Sequence, residues 1–389
     1  MTESGVDHAP ARRGTCSAQR LLAFALACVL AGAGCDEKKA STQASDPEAG
    51  ASTDKYATAD PKLAKALQGA TSASGNDKGP PPDGIFAPGV ADARHPLGAA
   101  TTLEVVGEGS EPRVDLAPSP DASTEAARAS SYGPALLELA MQNGPRSAMP
   151  TIDFGLMLGP AKKDDGGADW LVAEVRKAAP SKRQAGELPP EVEKEIASLA
   201  GTLLRIKITS DGREAEVHTQ LGKAGLADLE RVATSAAEAM VFATVPVPGK
   251  PVGVGAQWIA ETRMPLSGLD VIAYRAYRVK EIDGDRLHLG LDVRAYAASK
   301  NVDLAGVPKG ATLAQFEAQL GGDIELARGE TIARRAQTQQ RVVMVFEPPG
   351  GAQPPPAAGQ PPGGMLTAQI QSQAVLLRGE DLRAAAKLP

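Results

Sequence analysis

The chain has 389 residues and a net charge of −6, from 41 basic and 47 acidic side chains. No concentrated basic surface follows from that balance, so nucleic acid is not expected as a partner. Three cysteines and four histidines are too few for a disulfide framework, and none of the histidines has a second ligand at metal-binding spacing.

The first element is the apolar run 21–34, "LLAFALACVLAGAG". Its 14 residues fall short of the roughly 20 that cross a hydrocarbon core about 30 Å thick. Arg12, Arg13 and Arg20 precede it and small residues close it, which is the order of a secretory signal. Residues 1–34 are therefore expected to be removed. Gly32-Ala33-Gly34-Cys35 resembles the lipobox of bacterial lipoprotein signals, with Gly32 where leucine is usual. The resemblance implies cleavage before Cys35 and a diacylglyceryl group on its thiol. Cys16 and Cys28 lie inside the expected signal, so maturation leaves one cysteine and no intramolecular disulfide. More than one acyl chain gives stable anchoring, and the expected location is the cell envelope, membrane-anchored and facing the periplasm, with inner and outer membrane both open.

Residues 35–131 read as a disordered tether rich in Ala, Ser, Gly and Pro, as in "ASTQASDPEAGASTD". Of the 13 aromatic residues, ten lie at or beyond Tyr132, so this segment has little apolar surface to offset the entropy of ordering. Within and just after it, Thr102–Gly107 reads as a strand and 134–141 as a short helix.

Residues 132–389 form the expected folded domain. "TIDFGLML" and "DWLVAEV" alternate as a hairpin. "TLLRIKITSDGREAEVHTQL" is a second, with Leu204, Ile206 and Val217 inward and Arg205 and Lys207 facing Glu214 and Glu216 outward. A helix opens at Pro189-Pro190 and ends at Gly201, and a longer one covers 226–241 with Leu229, Val232, Ala233, Ala236 and Met240 on its apolar side. "VIAYRAYRVKEIDGDRLHLGLDVRAYA" is a hairpin about Asp283-Gly284, with Leu287, Leu289, Leu291 and Val293 inward. A short helix is expected over 312–320, then strands in "DIELARG", 331–346 and "MLTAQIQSQAVLL". The Pro/Gly-rich loop 347–364 separates the last two. The sum is an α+β domain: a large, curved, half-barrel-like antiparallel sheet with two or three helices on one face.

Pro251, Val252, Val254, Gly255 and Trp258 in "VPVPGKPVGVGAQW" match a Pro-Val-x-Val-Gly-x-x-Trp run, and residues 150–380 thereby resemble a family of uncharacterised bacterial envelope lipoproteins. Trp258 reads as a core anchor. The outline is also similar to the half-barrels of periplasmic lipid and lipoprotein carriers, a likeness of fold alone.

No nucleophile elbow, H-E-x-x-H or Walker loop is present, and Asp164-Asp165-Gly166-Gly167 and Asp283-Gly284-Asp285 read as turns rather than calcium loops. No catalysis, cofactor or metal is expected. On 331–346 one strand face passes from Arg334 to Met344 and Phe346. A concave face of this kind offers an amphiphile a place for its tail on Met344 and Phe346 and for its head near Arg334, but strands that outrun the core with their polar ends in water give the same pattern and are the favoured reading. The expectation is a lipid-anchored binding module for an envelope protein or a lipid ligand. An envelope hydrolase or peptidoglycan-modifying enzyme with a dispersed site, and a structural spacer, are the alternatives.

Overall fold

The computed structural model describes residues 65, 80–116, 132–144, 147–160, 170–182, 187–208, 214–222, 227–304, 306–349 and 364–385. The first half contributes a short helix α1 (Val90–Arg94), then β1 (Thr102–Gly107), β2 (Gly133–Asn143), β3 (Ser147–Ala148), β4 (Ile152–Pro160) and β5 (Trp170–Pro180). There follow α2 (Pro190–Ala197), β6 (Leu203–Ile208), β7 (Glu214–Gln220) and α3 (Ala227–Ala243). The second half is β8 (Gln257–Leu266), β9 (Leu269–Asp283), β10 (Arg286–Ala297), β11 (Thr312–Ala327), β12 (Arg335–Glu347), β13 (Leu366–Arg378) and α4 (Gly379–Ala385).

Twelve of these strands form one open antiparallel sheet in the order β1-β8-β9-β10-β11-β12-β13-β2-β4-β5-β6-β7, and β3 adds to β2. The chain thus lays down one wing, β2 to β7, passes through α3, and builds the other wing from β8 back towards β2. β13 closes the seam by pairing with β2, from Ile370 opposite Asn143 to Arg378 opposite Ala135. Meander connections between neighbours keep most of these pairings local, as antiparallel hairpins allow.

The expected hairpins form. β4 pairs with β5 and β9 with β10, and Leu287, Leu289, Leu291 and Val293 are buried. In the β6 and β7 pair, Lys207 faces Glu216 at 2.6 Å, but Arg205 lies opposite His218 and a bulge after Lys207 sets Ile208 opposite Glu214. Only half of the expected cross-strand charge pairing is therefore made.

Two segments expected as helices are strands. Residues 134–141 belong to β2, where Ala135, Leu137, Leu139 and Met141 are buried in strict alternation. Residues 312–320 open β11: all but Ala314 pair with β12, and 318–320 pair also with β10. A bulge between Leu313 and Gln315 skips one residue, so Leu313 and Phe316 both face inward, and Ala318 and Leu320 follow. The bulge thereby reproduces the i, i+3 spacing of a helix face inside a strand.

The tether expected over 35–131 is corrected for 80–116, which are part of the fold. β1 pairs with β8, Ile85 bridges Ala297, and Val114 bridges Val252. Phe86 and Ala91 pack with Ile259, Ile272, Tyr274 and Tyr296 on one face of β8 to β10, while Trp258, Tyr277 and their alternating neighbours belong to the large core on the other. A few apolar residues suffice because they cover a face the sheet has already built. The close approach also explains the glycine at the unspecified third position of the Pro-Val-x-Val-Gly-x-x-Trp run: a Cβ on Gly253 would collide with the carbonyl of Ser110. The remaining tether residues, the signal and most of the 347–364 loop lie outside the described residues.

Helix α2 starts on Pro190 and buries Ile196, as its spacing predicts. Helix α3 is buried on one side at first and on nearly every side from Ser235 to Ala243. It touches β6, β7, β8, β12 and β13, strands far apart in the sheet order. Its many alanines let strands approach the backbone closely, and a helix apolar all round is one enclosed by its protein.

Phe86→Ala removes an aromatic ring from this second core and is expected to cost about 3–5 kcal/mol. Urea denaturation of the two proteins measures it. An unchanged midpoint would mean that 80–116 contribute nothing to the fold.

Candidate functional site

Where β11 ends and β12 begins, the turn 328–334 meets the last residue of β13 and the first of β2. The turn is tied to the end of α3: the Val245 N–H donates to the Thr331 carbonyl at 2.7 Å, and the Ala333 N–H donates to that of Ala243 at 2.8 Å. On its other side the Arg378 N–H donates to the Arg334 carbonyl at 2.8 Å. The backbone therefore brings Glu330, Arg334 and Arg378 together at one rim of the sheet, although 48 positions separate the first from the last.

Arg378 is 6% exposed. Its Nε donates to the Ala333 carbonyl at 2.9 Å, and its Nη2 to the Ile332 carbonyl at 2.8 Å and to Glu330 Oε2 at 2.7 Å. Arg334 Nη2 donates to the other carboxylate oxygen, Glu330 Oε1, at 3.0 Å. One carboxylate thus spaces two guanidinium groups. Burial pushes the Arg378 guanidinium below its usual pKa, with Glu330 opposing, while the hydrogen bond to Glu330 raises that of Arg334. Both remain charged at neutral pH.

Over this pair lies a cleft of about 240 Å³ that Tyr132, Pro134, Gly379, Glu380 and Arg383 also line. Arg383 is exposed on α4, whereas Glu380 is engaged by Arg286 Nη2 at 3.2 Å. The cleft is polar, open and built from three elements remote in sequence. Guanidinium donors of this kind have the chemistry to hold an anionic group.

No protein-family model matches the chain, and no curated protein does. The site must therefore be read from its own geometry.

Of the residues singled out by sequence, Arg334 is in the cleft, just before β12. Met344 and Phe346 are 2% and 1% exposed within the large core. Twelve residues of near-extended chain separate Arg334 from Phe346, roughly 40 Å at about 3.3 Å per residue. The structure does not join them into one groove. Cys35 lies outside the described residues. His95 is buried behind α1, His218 is exposed on β7 beside Glu216, and His288 is half-buried on β10. Among the described residues no group of three or more His, Cys, Asp or Glu side chains is placed to hold a metal. Trp258 is fully buried, stacked on Tyr277 with ring centroids 5.3 Å apart, and its Nε1 donates to the Pro246 carbonyl at 3.0 Å.

Glu238, which the apolar pattern of α3 hides, is the second unusual group. It is 2% exposed and accepts from the Ser267 N–H at 2.6 Å. Ser267 and Gly268 form the two-residue tip between β8 and β9, both with positive φ (51° and 82°). Gln340 of β12 hydrogen-bonds to Glu238 and donates to Ser267 Oγ at 3.3 Å. Burial pushes the Glu238 carboxyl up to about 8, the two hydrogen bonds opposing. At neutral pH it is a neutral acid that ties α3 to a hairpin tip and to the opposite sheet strand.

Because the folded protein holds the Glu238 proton more tightly than the unfolded chain, this stability is fully present below about pH 4.5 and is lost as pH rises through about 8. The slope approaches about 1.4 kcal/mol per pH unit inside that window. Glu238→Gln keeps a neutral acceptor and is expected to flatten this part of the profile and to be the more stable protein at pH 9. Urea midpoints across pH 5–9 test it, and parallel profiles for the two proteins would remove the assignment.

Proposed function

We propose that this protein is a lipid-anchored binding module of the bacterial cell envelope, held in a membrane through Cys35 and without catalytic chemistry of its own. The observation that carries the binding role is the rim cleft, where Glu330 fixes Arg334 and Arg378 side by side and Arg383 adds a third guanidinium. A built, solvent-open set of donors of this kind fits an anionic group on an envelope partner or lipid ligand better than a scaffold's packing surface would.

The anchor rests on the short apolar run, the small residues before Cys35 and the absence of any other cysteine after it. No helix among the described residues is long and apolar enough to cross a membrane. The sheet is proposed to curl into a half-barrel about α3, since that helix touches strands from both wings and from the middle, and Gln340 of β12 reaches Ser267 at the β8 and β9 tip. The interior is then occupied by α3, which moves the binding role from the concave face to the rim. The carboxyl with the strongly raised pKa, Glu238, is enclosed rather than placed in a cleft, and this favours a binder over a hydrolase.

Two measurements test the reading. Cys35→Ala is expected to abolish incorporation of labelled fatty acid and to release the protein from the membrane fraction. Unchanged labelling and fractionation would overturn the anchor. A photoreactive amino acid in place of Tyr132, which lines the cleft without supplying a guanidinium, is expected to cross-link an envelope component in cells, whereas one in place of Arg341, exposed on β12 outside the cleft, is not. Equal labelling from the two positions, or none, would overturn the cleft as the binding site.

A further inference from the structure

We infer that the group bound in the rim cleft is a phosphate, held by Arg334 and Arg383 over the fixed pair of Arg378 and Glu330. The inference rests on the cleft being the binding site and names what it binds.

Three observations lead to phosphate. First, the guanidinium groups arrive from different elements: Arg334 from the turn before β12, Arg378 from the end of β13 and Arg383 from α4. Arg378 is spent on protein carbonyls and Glu330, so Arg334 and Arg383 are the donors that face a ligand, and two guanidinium groups from separate elements suit an acceptor with more than two oxygens spread around its centre, as a phosphate has. A planar carboxylate offers two, and that is the role Glu330 already fills between Arg334 and Arg378.

Second, two of the local acids are occupied. Glu330 has one oxygen on each of two arginines, and Glu380 is drawn to Arg286, whose other nitrogen, Nη1, donates to Glu325 at 2.7 Å. Asp381 stands next to Glu380 at the start of α4, and its charge reaches Arg334. The cleft is therefore not a bulk basic patch. It would select a compact anion for its shape and donors rather than attract polyanions, in keeping with a chain of net charge −6.

Third, the floor is preorganised. Arg378 is held by two carbonyls and a carboxylate, and the turn it grips is bonded to the end of α3. Arg334, by contrast, is one-third exposed and Arg383 is exposed, so the two of them can close on a ligand with little rearrangement of the rest.

A phosphate could reach the site on a soluble ester or on a lipid headgroup, and two probes separate these sources. Inorganic phosphate and a short-chain phosphatidic acid below its micelle concentration are titrated by ³¹P NMR against the full mature protein in detergent. Both are expected to bind, with Arg334→Ala and Arg383→Ala each weakening them by about tenfold or more and Arg341→Ala leaving them unchanged. Tighter binding of the phosphatidic acid by about tenfold would identify a lipid headgroup, since an added chain contributes only if it too is buried. Equal affinities would identify a soluble phosphate. Arg383 sits at the surface of a short terminal helix, so its variant remains informative even where Arg334→Ala fails to fold. Failure of both probes to bind, or binding insensitive to both arginine variants, would overturn the phosphate assignment. If cross-linking from position 132 persists in that case, the cleft binds another anion; if it too is absent, the binding reading falls as well.

Discussion

A buried arginine closes the end of helix α3, which touches strands from both wings of the sheet. Helix α3 finishes inside the protein, where its last carbonyls cannot reach water and would each be left unsatisfied. Arg275, on the inward face of β9 and fully buried, donates through Nη1 to the carbonyls of Val241 and Thr244, both at 3.2 Å. A cation at a helix C-terminus is favoured by the partial negative charge there, so each group lessens the desolvation cost of the other. Arg275 Nη2 also donates to Thr262 Oγ1 at 2.8 Å, and Thr262 Oγ1 lies 2.6 Å from Thr101 Oγ1. One chain of polar contacts therefore runs from the helix through β9 and β8 to the segment that leads into β1.

Much of the remaining architecture depends on that helix end. The residues that follow it, Thr244 and Val245, pair with the turn before β12. The same turn carries Glu330 and Arg334 and is gripped by Arg378. Two buried arginines thus work from opposite sides on adjacent stretches of backbone: Arg275 on the end of α3 and Arg378 on the turn bonded to it. The floor of the cleft is hydrogen-bonded to this framework through Arg378, while Arg334 and Arg383 reach solvent beyond it.

The strands β8 to β10 show how a sheet buried on both faces is read. Tyr274 and Tyr296 face the outer cover, with ring centroids 6.0 Å apart, and Arg94 lies 5.3 Å from the centre of the Tyr274 ring. Tyr277 and Trp258 face the inner core. Arg263 on the rim of this cover is held by Asp270 and Asp92 at 2.7 Å each and by the His95 carbonyl at 3.1 Å. Most positions of "VIAYRAYRV" are therefore buried, which erases the alternation that marks a half-exposed strand. The cover needs few apolar residues of its own, so its sequence is nearly as polar as a linker.

The sequence by itself determined the elements whose pattern is set by nearest neighbours along the chain: the hairpins of β4 with β5, β6 with β7 and β9 with β10, the proline-opened α2, the apolar side of α3 and the core role of Trp258. Alternation and turn residues act over a few positions, and those physical preferences survive in the fold. Tertiary structure alone decided the rest. The bulge in β11 turned a helical spacing into a strand, because the ladder to β12 outweighs local preference. The segment 80–116 was ordered by a sheet face that exists only once distant strands have paired. Arg334 was visible in sequence, but its partners Glu330, Arg378 and Arg383 were not, since no spacing along the chain records which strand ends share a rim. Met344 and Phe346 carried the right chemistry for a ligand face, yet the packed interior took them as core. Which side chains are enclosed and which meet solvent depends on contacts made across the whole sheet, and only the three-dimensional arrangement contains them.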